Sequence, residues 1–346
     1  MSNFIHKKSK ILLLCLFVML TLTACGTPRG KDGKTKLDQI ISYQEITLQK
    51  DQINTTEITD EDVKKEIESQ TGDTIVIKPT TWGDAWKNGW FDGLIVWPIA
   101  QLINVLASFT DAGWGIILAT LLIQVLIYLL TYKSQLSQQK MQELQPELTR
   151  IQNKYAGKND DRSRMLMMQE QQKLYSDNDI HPFGSLLVLF LQLPIMMGMF
   201  YATQRAITTV YGSFMGMPLS ITPMEAFQQM SWGPIVVYVL MLIMSIVSVQ
   251  LPKWLKDWDE KKEGKKKKKD KGGMMADSMN MVSYMTTAMV GFMYISWPIA
   301  MSFYWLVSSA IRSGTAVISH IILKKEAAKR ALERRNSAGI LKNRKK

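Results

Sequence analysis

Two long apolar segments, each punctuated by polar residues and prolines, constrain the fold of this chain more than any other feature. One follows Leu174-Tyr175 and His181-Pro182-Phe183-Gly184 and runs from Leu186 to Tyr201 around Leu191-Gln192-Leu193-Pro194-Ile195. The other runs from Met279 to Leu323 around Trp297-Pro298 and Phe303-Tyr304-Trp305-Leu306-Val307-Ser308. A spanning helix needs about 20 predominantly apolar residues; the first segment supplies them when its flanks are included, over 183–204, and the second does so outright. The chain as a whole is 47% apolar, an average that conceals apolar blocks separated by charged ones. That segregation belongs to an integral membrane protein rather than to two soluble domains.

The same reading places five spans, at about 114–132, 183–204, 234–251, 279–296 and 298–323. Prolines 194, 234 and 298 are expected to interrupt them, which neighbouring helices tolerate by satisfying the freed backbone groups. Between the first two spans, residues 134–179 are charged and helical. Leu144, Leu148, Ile151 and Tyr155 recur at helical spacing on one face. Gly157-Lys158-Asn159-Asp160 forms a turn, with a cap at Asp160 or Asp161. Pro146 is expected to bend the first of these helices or to start a new one. The result is a helical hairpin. Upstream, Trp82, Trp86, Trp90, Phe91, Trp97 and Trp114 cluster beside an apolar stretch. Indole rings favour membrane interfaces, so a helix from about Leu94 to Ala107 is expected to lie on the leaflet before the first span. Residues 25–80 are polar; apart from a short charged helix at Asp60–Ser69, they are expected to form a weakly ordered stalk.

Charge placement orients this arrangement. The net charge of +12 would suit nucleic acid if it were spread over a surface, but it is not. Residues 26–112 carry 9 basic and 14 acidic side chains, residues 253–273 carry 10 and 5, and residues 324–346 carry 10 and 2. Basic residues accumulate on the cytoplasmic side of membrane proteins. The lysine run at 265–269 and the tail from Lys324 are therefore expected inside, and residues 26–112 outside. The start of the chain has Lys7, Lys8 and Lys10, an apolar run Ile11–Leu22 and Leu22-Thr23-Ala24-Cys25. This reads as a signal peptide over residues 1–24. The tetrad matches a bacterial lipobox, which implies lipidation of Cys25 and a multi-pass, lipid-anchored protein of the bacterial cell membrane.

No enzymatic signature accompanies this pattern. The three histidines stand apart from any metal-ligand spacing, there is no glycine-rich phosphate loop, and no nucleophile has a base in register with it. No cofactor is expected. Attention falls instead on polar side chains at membrane depth, which are costly there and mark function by default. These include Gln124 in the first span, Gln192 in the second, Ser245 and Ser248 in the third, and Ser308, Ser309 and Arg312 in the fifth. Arg312 stands about 20 Å along the last span. Its alternatives are a groove charge and a side chain that snorkels to the inner headgroups. Ser308 and Ser309 read equally as small residues for close helix packing.

Residues 90–323 resemble the YidC/Oxa family of membrane protein insertases. The resemblance rests on the 174–201 motif, on Trp297–Ser308, and on the order of lipobox, interfacial helix, hairpin and five spans, which is similar to the Gram-positive branch. It implies an all-α integral membrane fold with five transmembrane helices around a hydrophilic groove, an external interfacial helix and a cytoplasmic helical hairpin. It also implies partners: nascent membrane proteins, the Sec translocon, membrane lipids, and the ribosome through a tail containing Lys342, Arg344, Lys345 and Lys346. Family members carry an arginine in the middle of the first span, and its register falls here on Gln124. Gln124, Gln192, Ser308 and Arg312 are then the candidate groove residues, with Arg312 supplying the absent charge. The rival readings are a specialised membrane chaperone without autonomous insertion, and a transporter or channel.

Overall fold

The computed structural model describes residues 28–58, 60–70, 72–158, 160–180, 184–262, 264, 285, 288–289 and 291–343. The signal segment 1–24, the lipobox Cys25, the lysine run 265–269, half of the span expected at 279–296, and the tail residues Arg344, Lys345 and Lys346 lie outside them. The chain is mostly helical and divides into two compact units. Four long helices contribute to both: α4 (Ala112–Glu143), α7 (Gly184–Arg205), α10 (Trp232–Lys262) and α11 (Ile299–Asn343).

The first unit comprises residues up to 123, 191–238 and 294–304. It holds the clearest departure from the expectations. Residues 28–80, read as a weakly ordered stalk, are folded over their described part. Strands β1 (Ile46–Gln49) and β2 (Thr74–Ile77) pair antiparallel, with Ile46 opposite Ile77 and Leu48 opposite Ile75. Helix α1 (Glu61–Ser69) connects them. The period-2 alternation of Ile75 and Ile77 turns both side chains inward. They form a core with Ile40, Ile53 and Ile207, and Leu37, Ile67 and Tyr211 pack against it. A few isoleucines scattered through a polar stretch suffice because their partners come from elsewhere in the chain. The fold is all-α in its main architecture, as expected, and carries two small ladders: this one, and a second between β3 (Ser213–Phe214) and β4 (Met217–Pro218).

The polar segment is bonded to the end of α7. The Ile41 N–H donates to the Arg205 carbonyl at 2.7 Å, and the Ile207 N–H donates to the Ile41 carbonyl at 3.0 Å. Asn104, fully buried on α3 (Trp97–Phe109), donates to the same Ile41 carbonyl and accepts from the Thr208 N–H and hydroxyl. Helix α2 (Trp82–Lys87) opens with a capping box between Thr81 and Asp84. A π-helical turn Asp92–Val96 leads into α3. Together, residues 92–109 are apolar enough to cross a membrane. Ile99, Ala100, Ile103 and Ala107 are buried along one face, while Leu94 and Val105 are exposed. Gly115 allows α4 to approach α3, since a Cβ there would lie 2.7 Å from the Ala107 Cβ and 2.9 Å from the Ile103 carbonyl oxygen.

Arg205, at the end of α7, is 3% exposed and pairs with Asp92 at 2.5 Å, while its Nε–H donates to the Gln39 carbonyl. This unit also holds the short helices α8 (Ile207–Val210) and α9 (Pro223–Gln228).

The second unit comprises residues 124–190, 239–293 and from 305 onward. Helices α5 (Gln145–Tyr155) and α6 (Asp161–Asp177) pack together as a hairpin. Pro146 starts a new helix rather than bending the old one. The break falls at Leu144, and Pro146 occupies the first turn of α5, where its missing N–H has no helical partner to lose. Asp160 is the cap of α6 and accepts from the Ser163 N–H at 2.9 Å. Gly157 takes the left-handed turn between the helices. Lys154 and the Tyr155 hydroxyl both meet Glu170 across the hairpin. These donors hold the Glu170 carboxyl below its usual range.

Helices α4, α10 and α11 are each long and apolar enough to span a membrane, and the 22 residues of α7 extend about 33 Å. The prolines interrupt none of them. Pro194 lies inside α7, Pro234 sits in the first turn of α10, and Pro298 immediately precedes α11. The last helix also runs well past the expected end at 323, to Asn343. The Ala, Lys, Arg, Glu and Leu of 324–343 favour helix, and no proline stops them.

Candidate functional site

The candidate site lies in the second unit, where polar side chains come together among apolar helices. Gln124, 6% exposed in the middle of α4, donates its side-chain N–H to the Ser308 hydroxyl at 3.1 Å. Ser308 and Ser309 are fully buried on α11. Arg312 donates from Nη2 to the Ser309 hydroxyl at 2.7 Å. Its guanidinium carbon stands 5.0 Å from the centre of the Trp305 ring. The Trp305 indole N–H donates to the Ser245 hydroxyl on α10 at 2.7 Å, and Ser245 donates to the Met241 carbonyl.

The spacing explains the grouping. Trp305, Ser308, Ser309 and Arg312 fall at i, i+3, i+4 and i+7, which shares one face of a helix. Helical side chains lean toward the N-terminus of their helix. The Arg312 guanidinium accordingly reaches back toward Ser309 and Trp305, away from the basic end of α11. That is the direction opposite to snorkelling toward the chain's basic tail. A cation over an indole face, with a hydroxyl acceptor beside it, keeps much of its charge stabilisation without bulk water.

Gln192 belongs to the first unit, where it donates to the Tyr304 hydroxyl at 3.2 Å. Three of the four expected groove residues, Gln124, Ser308 and Arg312, therefore share one polar cluster, while Gln192 has a separate partner. The sequence reading did not single out Tyr304, or Trp305 and Ser245 as a bonded pair. The i, i+7 relation of Trp305 to Arg312 was the signal available for half of that. The Ser245–Trp305 bond joins residues sixty positions apart and had none. Of the tail residues, Lys342 is helical, at the end of α11.

A second polar group joins α4, α10 and α11 at one end of the unit. His320 Nε2 lies 2.9 Å from Asp259, which also accepts from Lys324, and Lys256 donates to the Glu143 carbonyl. Partial burial raises the pKa of Glu143, with His320 and Lys256 opposing the shift. Among the described residues no cluster of His, Cys, Asp and Glu is arranged to hold a metal ion.

A helical fold with several apolar helices of spanning length and a polar cluster between them defines a multi-pass membrane protein. The family model of the 60Kd inner membrane protein matches residues 104–327. The membrane protein insertase YidC of Enterococcus faecalis is 31% identical over 262 residues, covering 72% of this chain and 86% of the relative. That of Bifidobacterium longum is 50% identical over 130 residues, 36% of each chain. Membrane protein insertase YidC 1 of Streptococcus pyogenes serotype M1 is 38% identical over 134 residues, 39% of this chain and 48% of the relative. The chain belongs to the YidC/Oxa family.

Proposed function

We propose that this protein inserts and folds other proteins in the bacterial membrane, alone or beside the Sec translocon, through a polar groove without a charge on its first span. The observation that carries the reading is the cluster Gln124–Ser308–Ser309–Arg312 among apolar helices. Moving polar chain through hydrocarbon costs several kcal/mol for each unsatisfied backbone group. A groove of amide, hydroxyl and guanidinium groups shortens the dry part of that path. The polar tail of a nascent substrate enters it, and the apolar helix that follows is driven into lipid at roughly 25 cal/mol per Å² of buried apolar surface.

Arg312 does the work of the arginine that relatives carry at the position of Gln124. It stands one helical turn from Ser308, the partner of Gln124. Attraction between a guanidinium and an acidic substrate tail is far stronger at low local dielectric than in water. The lipid on Cys25 tethers the external segment, and the basic tail from Lys324 contacts ribosomes or anionic headgroups on the cytoplasmic side. No cofactor enters this account.

The test is insertion of a short, acidic-tailed, single-span substrate into liposomes containing this protein alone, scored by protease protection. Protection above empty liposomes is expected. Its absence with folded protein refutes autonomous insertion and favours the chaperone reading, which the neutral Gln124–Ser308 pair would suit. For the charge, Arg312→Ala is expected to reduce protection, Arg312→Lys to retain part of it, and Gln124→Arg to rescue Arg312→Ala. Failure of that rescue, with the double variant folded, would sink the idea that the charge has moved.

A further inference from the structure

Two residues of the first unit hold backbone conformations that ordinarily belong to glycine or asparagine, and both are methionines. Met215 (φ 52°) and Gly216 (φ 78°) form the two-residue connection of the β3–β4 hairpin, in which Phe214 faces Met217. Positive φ at both central positions is the type I′ turn, whose usual residues are Asn-Gly or Asp-Gly. Met230 (φ 50°) follows the C-cap of α9. There the Ser231 N–H donates to the Ala226 carbonyl and the Met230 N–H to the Phe227 carbonyl. This is a Schellman ending, which normally puts glycine at the position of Met230. A Cβ is disfavoured in the left-handed region, so the backbone does not explain either methionine. Packing does not explain them either, because Met215 is 82% exposed and Met230 77%.

Exposed apolar surface beside ordered structure marks an interaction site, and three observations identify the occupant as lipid. The exposed side chains continue a membrane helix. Trp232, 74% exposed, begins α10, and Val236, Val239, Leu240 and Ile243 follow as an exposed apolar stripe on that helix. The hairpin is fixed against the same helix start. Met217 covers Gly233, and Phe214 is buried against the Trp114 and Phe303 rings. Finally, residues 206–233 contain a single charged side chain, Glu225, and it is engaged in the capping box of α9 with Thr222.

We propose that residues 211–233 form a lipid-inserting loop. Met215, Met230 and Trp232 enter the apolar part of the leaflet on the side where α7 ends and α10 begins. Phospholipid acyl chains are the partner. Unbranched, polarizable side chains suit such a surface, and an indole suits its boundary.

The experiment places a photoreactive benzophenone amino acid at 215, 230 or 232 of the full chain. The protein is reconstituted in vesicles of phosphatidylglycerol and phosphatidylethanolamine carrying an alkyne-tagged lipid. After irradiation, lipid adducts at 215 and 230 comparable to those at Ile243 are expected, with none at the exposed Lys31. Labelling as low as at Lys31, or adducts to polypeptide in place of lipid, overturns the proposal. A second variant guards against misfolding. Met215→Asn with Met230→Asn suits the left-handed backbone, so the melting temperature in detergent is expected to hold or rise while lipid adducts from a probe at 232 fall. An undiminished adduct at 232 would count against the loop as the inserting element.

Discussion

Replacing Asp92 with asparagine tests the part of this structure that was least visible beforehand. The Asp92 carboxylate and the Arg205 guanidinium are 7% and 4% exposed and lie 2.5 Å apart. Arg205 also donates to the Gln39 carbonyl, so the pair fastens the N-terminal segment to the end of α7. At a solvated surface such a pair would contribute about 0–1 kcal/mol. Removing one partner of a buried pair leaves an uncompensated charge and costs about 3–5 kcal/mol. With about 2–4 °C per kcal/mol for a unit of this size, the melting temperature should fall by roughly 6–20 °C. The assay is thermal unfolding in mild detergent followed by tryptophan emission, with Arg205→Met and the double variant Asp92→Leu, Arg205→Met alongside. The double variant removes both charges and is expected to lose less than either single change, because burial without charge carries no desolvation cost. Single variants that lose less than about 1 kcal/mol, or a double variant whose loss is the sum of the two, would refute the reasoning.

Three further outcomes are expected. Gly115→Val should destabilise the α3–α4 contact by about 1–3 kcal/mol, since the new side chain meets the Ile103 carbonyl and the Ala107 backbone nitrogen, which cannot rotate away; chemical denaturation in detergent reads the loss. Trp305→Leu should lower substrate insertion nearly as far as Arg312→Ala, because it removes both the ring under the guanidinium and the donor to Ser245, whereas Trp305→Phe keeps the ring and should keep part of the activity. The α5–α6 hairpin should loosen in acid. Lys154 and Tyr155 hold the Glu170 pKa below its ordinary 4.5, so the stabilisation is present above that value and lost as pH falls through the lowered one. Hydrogen exchange of the hairpin amides should show this in the native chain and not in Glu170→Gln.

How far the site could be read in advance depended on sequence distance. Arg312, Ser308 and Ser309 stood out because a charge and two hydroxyls at helical spacing in an apolar run have few explanations. Gln124 stood out because it fell in the register where the family resemblance implies a charge. The pairing of Gln124 with Ser308 joins residues 184 positions apart. No local pattern specifies such a contact, because it follows from how the helices pack. Gln192 read as a fourth member of the same group from its depth in a span, yet its bond is to Tyr304, since depth says nothing about which way a side chain faces.

By itself the sequence determined the membrane class, apolar helices of spanning length, the hairpin with its cap narrowed to Asp160 or Asp161, and a break near Pro146, left open as a bend or a new helix. All of these depend on local composition, period and proline geometry. Only the tertiary structure decided that residues 28–80 fold. Their isoleucines are too few and too dispersed to make a core alone. They become one when Ile207 joins them, when Asn104 and Arg205 satisfy their backbone carbonyls, and when Asp92 neutralises the arginine that does so. That stabilisation is distributed over four distant stretches of chain and is invisible in any one of them.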